Sequence, residues 1–127
     1  MYEMKDEYLT GIPQVDEEHA KIFELAEQAY QLLQDEYMHD KYDDLISIVQ
    51  ELKEYTKYHF SHEEEYMEAI DYEAIFIQRA QHRIFEEKLD SFEVDDANQE
   101  ESILSLLDLI TEWLIDHILK LDKQIGK

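Results

Sequence analysis

The sequence predicts an all-α protein, an up-down-up-down four-helix bundle preceded by an N-terminal arm. Three observations predict it. The strongest helix breakers are confined to Gly11, Pro13 and Gly126, so nothing between Gln14 and Ile125 interrupts a helix. The residues in between are dominated by Glu, Leu, Lys, Gln and Ala, all good helix formers, and no segment combines β-branched alternation with turn dipeptides. Apolar residues recur every three and four positions in four separate stretches, each the mark of one buried stripe on a helix. At 127 residues the chain is expected to form a single domain spanning residues 1–127.

The elements follow in order. Val15, His19, Ile22, Phe23, Ala26, Tyr30 and Leu33 keep helical phase and predict a helix over 15–36, closed by the polar stretch from Asp35 to Lys41. Leu45, Ile48, Val49, Leu52, Thr56, His59, Phe60, Glu63 and Met67 predict a second over 41–67. The phase changes around Ile70 to Glu73, and Ile75, Gln78, His82, Phe85 and Leu89 predict a third over 73–91. Glu93 to Glu100 is a polar connection, after which Ile103, Leu106, Ile110, Trp113, Leu114, His117 and Leu121 predict a fourth over 99–122. Short links between helices of this length make sequential neighbours antiparallel around one core. Residues 1–14 fall outside the scheme, and Tyr2, Tyr8, Leu9 and Ile12 suggest an arm packed across the bundle.

Composition narrows the chemistry. Thirty-three acidic residues against 11 basic ones give a net charge of −22, which repels phosphate backbones and anionic headgroups, so neither nucleic acid nor a membrane surface is an expected partner. A chain that is 44% apolar, with nine Tyr and five Phe, is too hydrophobic for a solvated acidic tail. Cysteine is absent, which removes disulfides, thiolate zinc sites, iron–sulfur clusters and cysteine nucleophiles. Any metal must be held by nitrogen and oxygen. No basic, apolar leader opens the chain and no long apolar run crosses it, so a cytoplasmic protein is expected.

Each predicted stripe carries a histidine on its buried side: His19, His59, His82 and His117. One histidine on an apolar face is usually a hydrogen-bonded core residue. Four of them, one per helix, are costly to bury without shared partners, and a metal satisfies them together. His59 and Glu63 are four apart, about 40° from each other on one face, so both can reach one site. His117 and Asp122 are five apart, about 140° around an ideal helix, and Asp122 reaches the site only if the helix ends or loosens there. Glu63-Glu64-Glu65 also reads as a solvated acidic face, but Glu63 alone keeps phase with Leu52, Thr56 and His59. Nitrogen and oxygen without sulfur suit iron, manganese or zinc. Two carboxylates among four histidines can bridge two ions; a single zinc with three or four ligands is the other arrangement, and it leaves some of these groups buried without a role.

The stretches Thr10-Gly-Ile-Pro-Gln-Val-Asp16-Glu-Glu-His19, Tyr58-His59-Phe60-Ser61-His62-Glu63-Glu64 and Trp113-Leu114-Ile115-Asp116-His117-Ile118-Leu119-Lys120-Leu121-Asp122 resemble the hemerythrins, over nearly the whole chain. The resemblance implies a bacterial-type single-domain protein with a non-haem centre of two iron ions, bridged by an oxo or hydroxo group, that binds dioxygen reversibly. Manganese or a mixed pair could replace the irons. By the same resemblance His19 and His59 would hold the iron that receives dioxygen, His82 and His117 the other, and Glu63 and Asp122 would bridge both. The departure is in the third helix, where the family pattern H-x-x-x-H meets Gln78-Arg79-Ala80-Gln81-His82. Glutamine can ligate weakly through its carbonyl oxygen or hydrogen-bond a water in the vacant position.

His62, about 60° from His59 around the helix, is read as lining the bundle or donating near the pocket, and His39 as a surface residue in the first link. Tyr55, Tyr58, Phe60 and Tyr66 are read as packing that could also wall the site from water. The leading reading is an oxygen-binding protein for storage, delivery or sensing, with no catalytic side chain and with dioxygen or a related diatomic or peroxide ligand as its partner. The enzyme reading has an open position created by Gln78 support peroxide or dioxygen reduction, or ferrous iron oxidation. Manganese or zinc handling is a third. A purely structural bundle leaves four in-phase core histidines unexplained.

Overall fold

The computed structural model describes residues 2, 5–37 and 40–125, with no side-chain detail at 113–115. His39 and Gly126 therefore lie outside the described residues, as do the side chains of Trp113 and Leu114. Helix α1 spans Pro13–Gln34, α2 Tyr42–Ala69, α3 Ile75–Asp90 and α4 Gln99–Leu109. The chain then continues through two π-helical stretches, Ile110–Ile115 and Ile118–Asp122, into a last short turn, α5, Lys123–Ile125. The described residues contain helices and no strand.

Local chemistry explains the boundaries. Helix α1 begins at Pro13, two residues before the apolar stripe does, because proline at the first helical position lacks only an N–H that would have had no partner there. Asp16 ties the preceding loop down: its Oδ1 accepts from the Thr10 amide at 2.7 Å and the Thr10 hydroxyl at 2.8 Å, and its Oδ2 from the Gly11 amide at 3.2 Å. Gly11 takes φ +87°, which a side chain would strain. Helix α2 closes with a Schellman pattern, the Tyr72 amide donating to Met67 O at 2.9 Å and the Asp71 amide to Glu68 O at 3.2 Å. Asp71 has φ 51°, and aspartate tolerates that left-handed turn better than most residues. This is the change of phase seen between the second and third stripes.

Neighbouring helices run antiparallel. Lys41, at the start of α2, donates through Nζ to Leu33 O near the end of α1, while His19 and His59 meet at the opposite end. Lys57 pairs with Asp90 and Arg79 with Glu64 across α2 and α3. The fourth helical run returns along α1, its start held at Lys41 by Gln99 Oε1 (2.6 Å) and its end beside His19. Between the helices lies one core that includes Ile22, Leu25, Ala26, Leu45, Leu52, Phe60, Phe85, Leu89, Ile103, Leu106 and Ile118. The arm contains a 3-10 turn, Asp6–Tyr8, and lies along α1, with Tyr8 on Phe23 (ring centroids 5.0 Å) and Tyr2 on Tyr30 (6.0 Å). Leu9, expected to pack, is exposed. No described helix is long and apolar enough to cross a membrane.

Candidate metal centre

The helical phase of the stripes turns His19, His59, His82 and His117 inward, and all four are buried with Glu63 and Asp122 at one end of the core. Two overlapping groups result. His19, His59, Glu63 and Asp122 surround one position, and Glu63, His82, His117 and Asp122 surround a second, so both carboxylates are shared. Glu63 Oε2 lies 3.2 Å from His59 Nε2 and 3.6 Å from His19 Nε2, while its Oε1 lies 3.0 Å from His82 Nε2. Asp122 divides itself likewise, with Oδ2 3.1 Å from His19 Nε2 and Oδ1 3.0 Å from His117 Nε2.

Asp122 reaches this position through the π-helical stretch Ile118–Asp122. Hydrogen bonds of i→i+5 type widen the turn, so residues five apart come to lie one above the other. The fourth helix does loosen at Asp122, as its spacing required, but it does not end there: Lys123–Ile125 resume an α turn.

The separations suit cations. With bonds of about 2.0–2.2 Å to nitrogen or oxygen, two ligand atoms on one ion stand roughly 3.0–3.4 Å apart. Glu63 Oε2 and both Asp122 oxygens find no well-directed hydrogen bond despite the nearby imidazoles, as expected of lone pairs aimed at a common centre.

Two carboxylates that the sequence reading left out of the site complete it. Glu18, buried on α1, accepts from His59 Nδ1 at 2.9 Å, and Glu64 accepts from His82 Nδ1 at 2.9 Å. A proton fixed on Nδ1 leaves the Nε2 lone pair of each ring facing the cluster, the orientation a metal-ligating imidazole needs. Glu18 also accepts from His62 Nδ1 at 2.8 Å, and His62 lies 3.1 Å from Gln14 Nε2. His62 is thus joined to His59 through Glu18 from a half-buried position. Phe60 stacks flat on the His82 ring at 4.0 Å and 5°. Tyr58 and Tyr66 face outward and do not wall the site; Tyr58 covers His62 instead.

Electrostatics points the same way. Burial disfavours the charged form of His19, yet Asp122 and Glu63 outweigh it and raise its pKa to about 9. Burial likewise opposes charge on His59 and His82, and the carboxylates around them raise both. Glu63 is pushed up by burial but held well below the usual carboxylate range by His19, His59 and His82. In the metal-free protein these shifts favour protonated His19, His59 and His82 beside an ionised Glu63, and a cation binding there would displace protons.

Gln78, the departure in the third helix, is 1% exposed and lies one turn before His82, and neither amide atom finds a hydrogen-bond partner.

Fold and cluster together define a metal-binding helical bundle of the histidine and carboxylate type. The chain belongs to the hemerythrin family: the family described as Hemerythrin HHE cation binding domain matches residues 10–127. It is 40% identical over 126 residues to a bacteriohemerythrin of Clostridium acetobutylicum, covering 98% of each chain. Bacteriohemerythrins of Pseudomonas paraeruginosa and Pseudomonas aeruginosa strain PAO1 are 28% and 27% identical over 114 residues, 90% of this chain and 72% of theirs. No solved structure gives a significant match.

Proposed function

We propose that this chain is a non-haem di-iron protein that binds dioxygen reversibly, for storage, delivery or sensing in the cytoplasm. His19 and His59 would hold one iron and His82 and His117 the other, with Glu63 and Asp122 offering carboxylate oxygens to both. The observation that carries this reading is the pair of overlapping four-residue groups sharing both carboxylates. Membership of a cation-binding family supports it, and iron suits a site of nitrogen and oxygen ligands without sulfur.

When bound, the iron pair supplies the electrons that dioxygen draws on binding and returns on release. The protein's part is to hold and to exclude. Glu18 and Glu64 fix the His59 and His82 rings through Nδ1, and the Ile22, Phe60, Met67 and Ile118 side chains, all buried, keep bulk water from the core. Reversible binding needs no side chain to act as general acid or base. Gln78 favours a second reading, in which the His82 and His117 half has an open position and the centre turns over dioxygen or peroxide.

Oxygen uptake by the reduced, iron-loaded protein separates the two. The carrier takes up one dioxygen per iron pair, develops a charge-transfer band and loses both on deoxygenation. Continuous consumption with bleaching of the band contradicts it.

A further inference from the structure

The two halves of the cluster are equal in ligands and unequal in surroundings. Each offers two imidazoles and the two shared carboxylates. Only the His82 and His117 half has Gln78 on the same helical face as one of its ligands, buried and with Oε1 and Nε2 both lacking a partner. A buried amide with both ends unsatisfied is costly, which points to a group that it meets once the site is loaded. The same half also has a surface crevice against one of its ligand residues, His117. This crevice of about 210 Å³, lined by Gln81, Glu112, Asp116, His117, Lys120 and Leu121, opens between α3 and the fourth helical run.

We propose that the metal position of His82 and His117 takes a small exogenous ligand, a water or a small anion, and that Gln78 Nε2 donates a hydrogen bond to it. The centre then has an exogenous position on each metal instead of on one. This rests on the two-metal reading of the site. Direct ligation through Gln78 Oε1 would leave Nε2 still without an acceptor. A bound water or protonated ligand can accept from Nε2 and donate to Oε1, and so satisfies both ends of the amide. Glu112 and Asp116 outnumber Lys120 at the mouth of the crevice, so a neutral ligand, or an anion as its conjugate acid, enters more readily than a bare anion.

Azide counting tests this at equilibrium. Protein carrying two metal ions per chain, as counted by metal analysis, is titrated with azide by calorimetry, and the cobalt(II)-loaded form is followed by its d–d absorption. The parent is expected to bind two azides per chain and Gln78→His one, because the added imidazole fills the position. Gln78→Leu keeps two, with the second weakened on the order of tenfold or more by loss of a donor to a charged acceptor. One azide in the parent overturns the proposal, and so does a Gln78→Leu protein with both affinities unchanged. The Gln78→Leu result decides alone if Gln78→His fails to fold. Fewer than two metal ions in the parent sinks the two-metal reading as well, whereas two ions with one azide sinks this proposal only.

Discussion

At the scale of single residues, the site is a set of buried groups that pair with one another in the metal-free protein and are arranged to meet cations in the loaded one. His19 carries the clearest pH signature. Burial lowers its pKa, the Asp122 and Glu63 carboxylates raise it, and the result in the metal-free protein is about 9, against about 6.5 for an unfolded histidine. The stabilisation is therefore fully present below about 6.5 and is lost as pH rises through about 9. Thermal unfolding in excess chelator should show a melting temperature that falls across that window, and the metal-loaded protein should hold its own there, since its imidazoles are engaged by metal. A flat profile for the metal-free protein would count against the geometry of His19. Glu18 makes a second case. Replacing it by glutamine puts an amide N–H against one of two ring N–H donors, His59 or His62, and removes the charge that fixes His59. Chelator competition should report metal binding roughly 10- to 100-fold weaker for Glu18→Gln, with little loss of helix by circular dichroism. The histidines were legible in the sequence because an imidazole stands out on an apolar stripe. Glu18 and Glu64 were not, because 33 acidic residues make any one carboxylate inconspicuous. For Glu18 a signal did exist: it lies three after Val15 and four before Ile22, in phase with the buried face of α1.

At the scale of elements, the fourth helical run departs furthest from what periodicity alone delivers. Its α-helical start, Gln99–Leu109, follows from the stripe of Ile103 and Leu106, both fully buried. Its second half does not, because an α-helix carries Asp122 about 140° away from His117. The π-helical turns of Ile118–Asp122 correct the angle at the expense of regular hydrogen bonding, and such turns are rare and frequently found at functional sites. A distortion that serves a ligand should depend on what the ligand binds. Amide hydrogen exchange over 110–122 is accordingly expected to slow by an order of magnitude or more on metal loading, while α1 beyond the site, from Leu25 to Leu32, changes far less. Equal protection in both forms would mean that the π turns are fixed by packing alone. The arm was legible in part. Tyr2 and Tyr8 pack on α1 as aromatic side chains seeking cover, but Leu9 stays exposed, and the role of Asp16 in fastening the Thr10-Gly11 turn needed the folded geometry.

For the molecule as a whole, the excess of negative charge resolves into two populations. Most acidic residues lie on outer faces, where they keep the bundle solvated at a net charge of −22. Glu18, Glu63 and Asp122 are buried, and each faces imidazole nitrogen within 3.6 Å. A bundle of this length can bury such a cluster only if it neutralises it, with protons in the empty protein and with cations in the loaded one. One shared carboxylate, Glu63, belongs to both candidate metal positions at once. Metal analysis after anaerobic iron loading and desalting tests it most directly, with parent protein and Glu63→Ala side by side. Two iron ions per chain are expected in the parent and fewer than one in Glu63→Ala, since its loss strips a ligand from both positions. A single ion in the parent, or two ions retained without Glu63, would contradict the account.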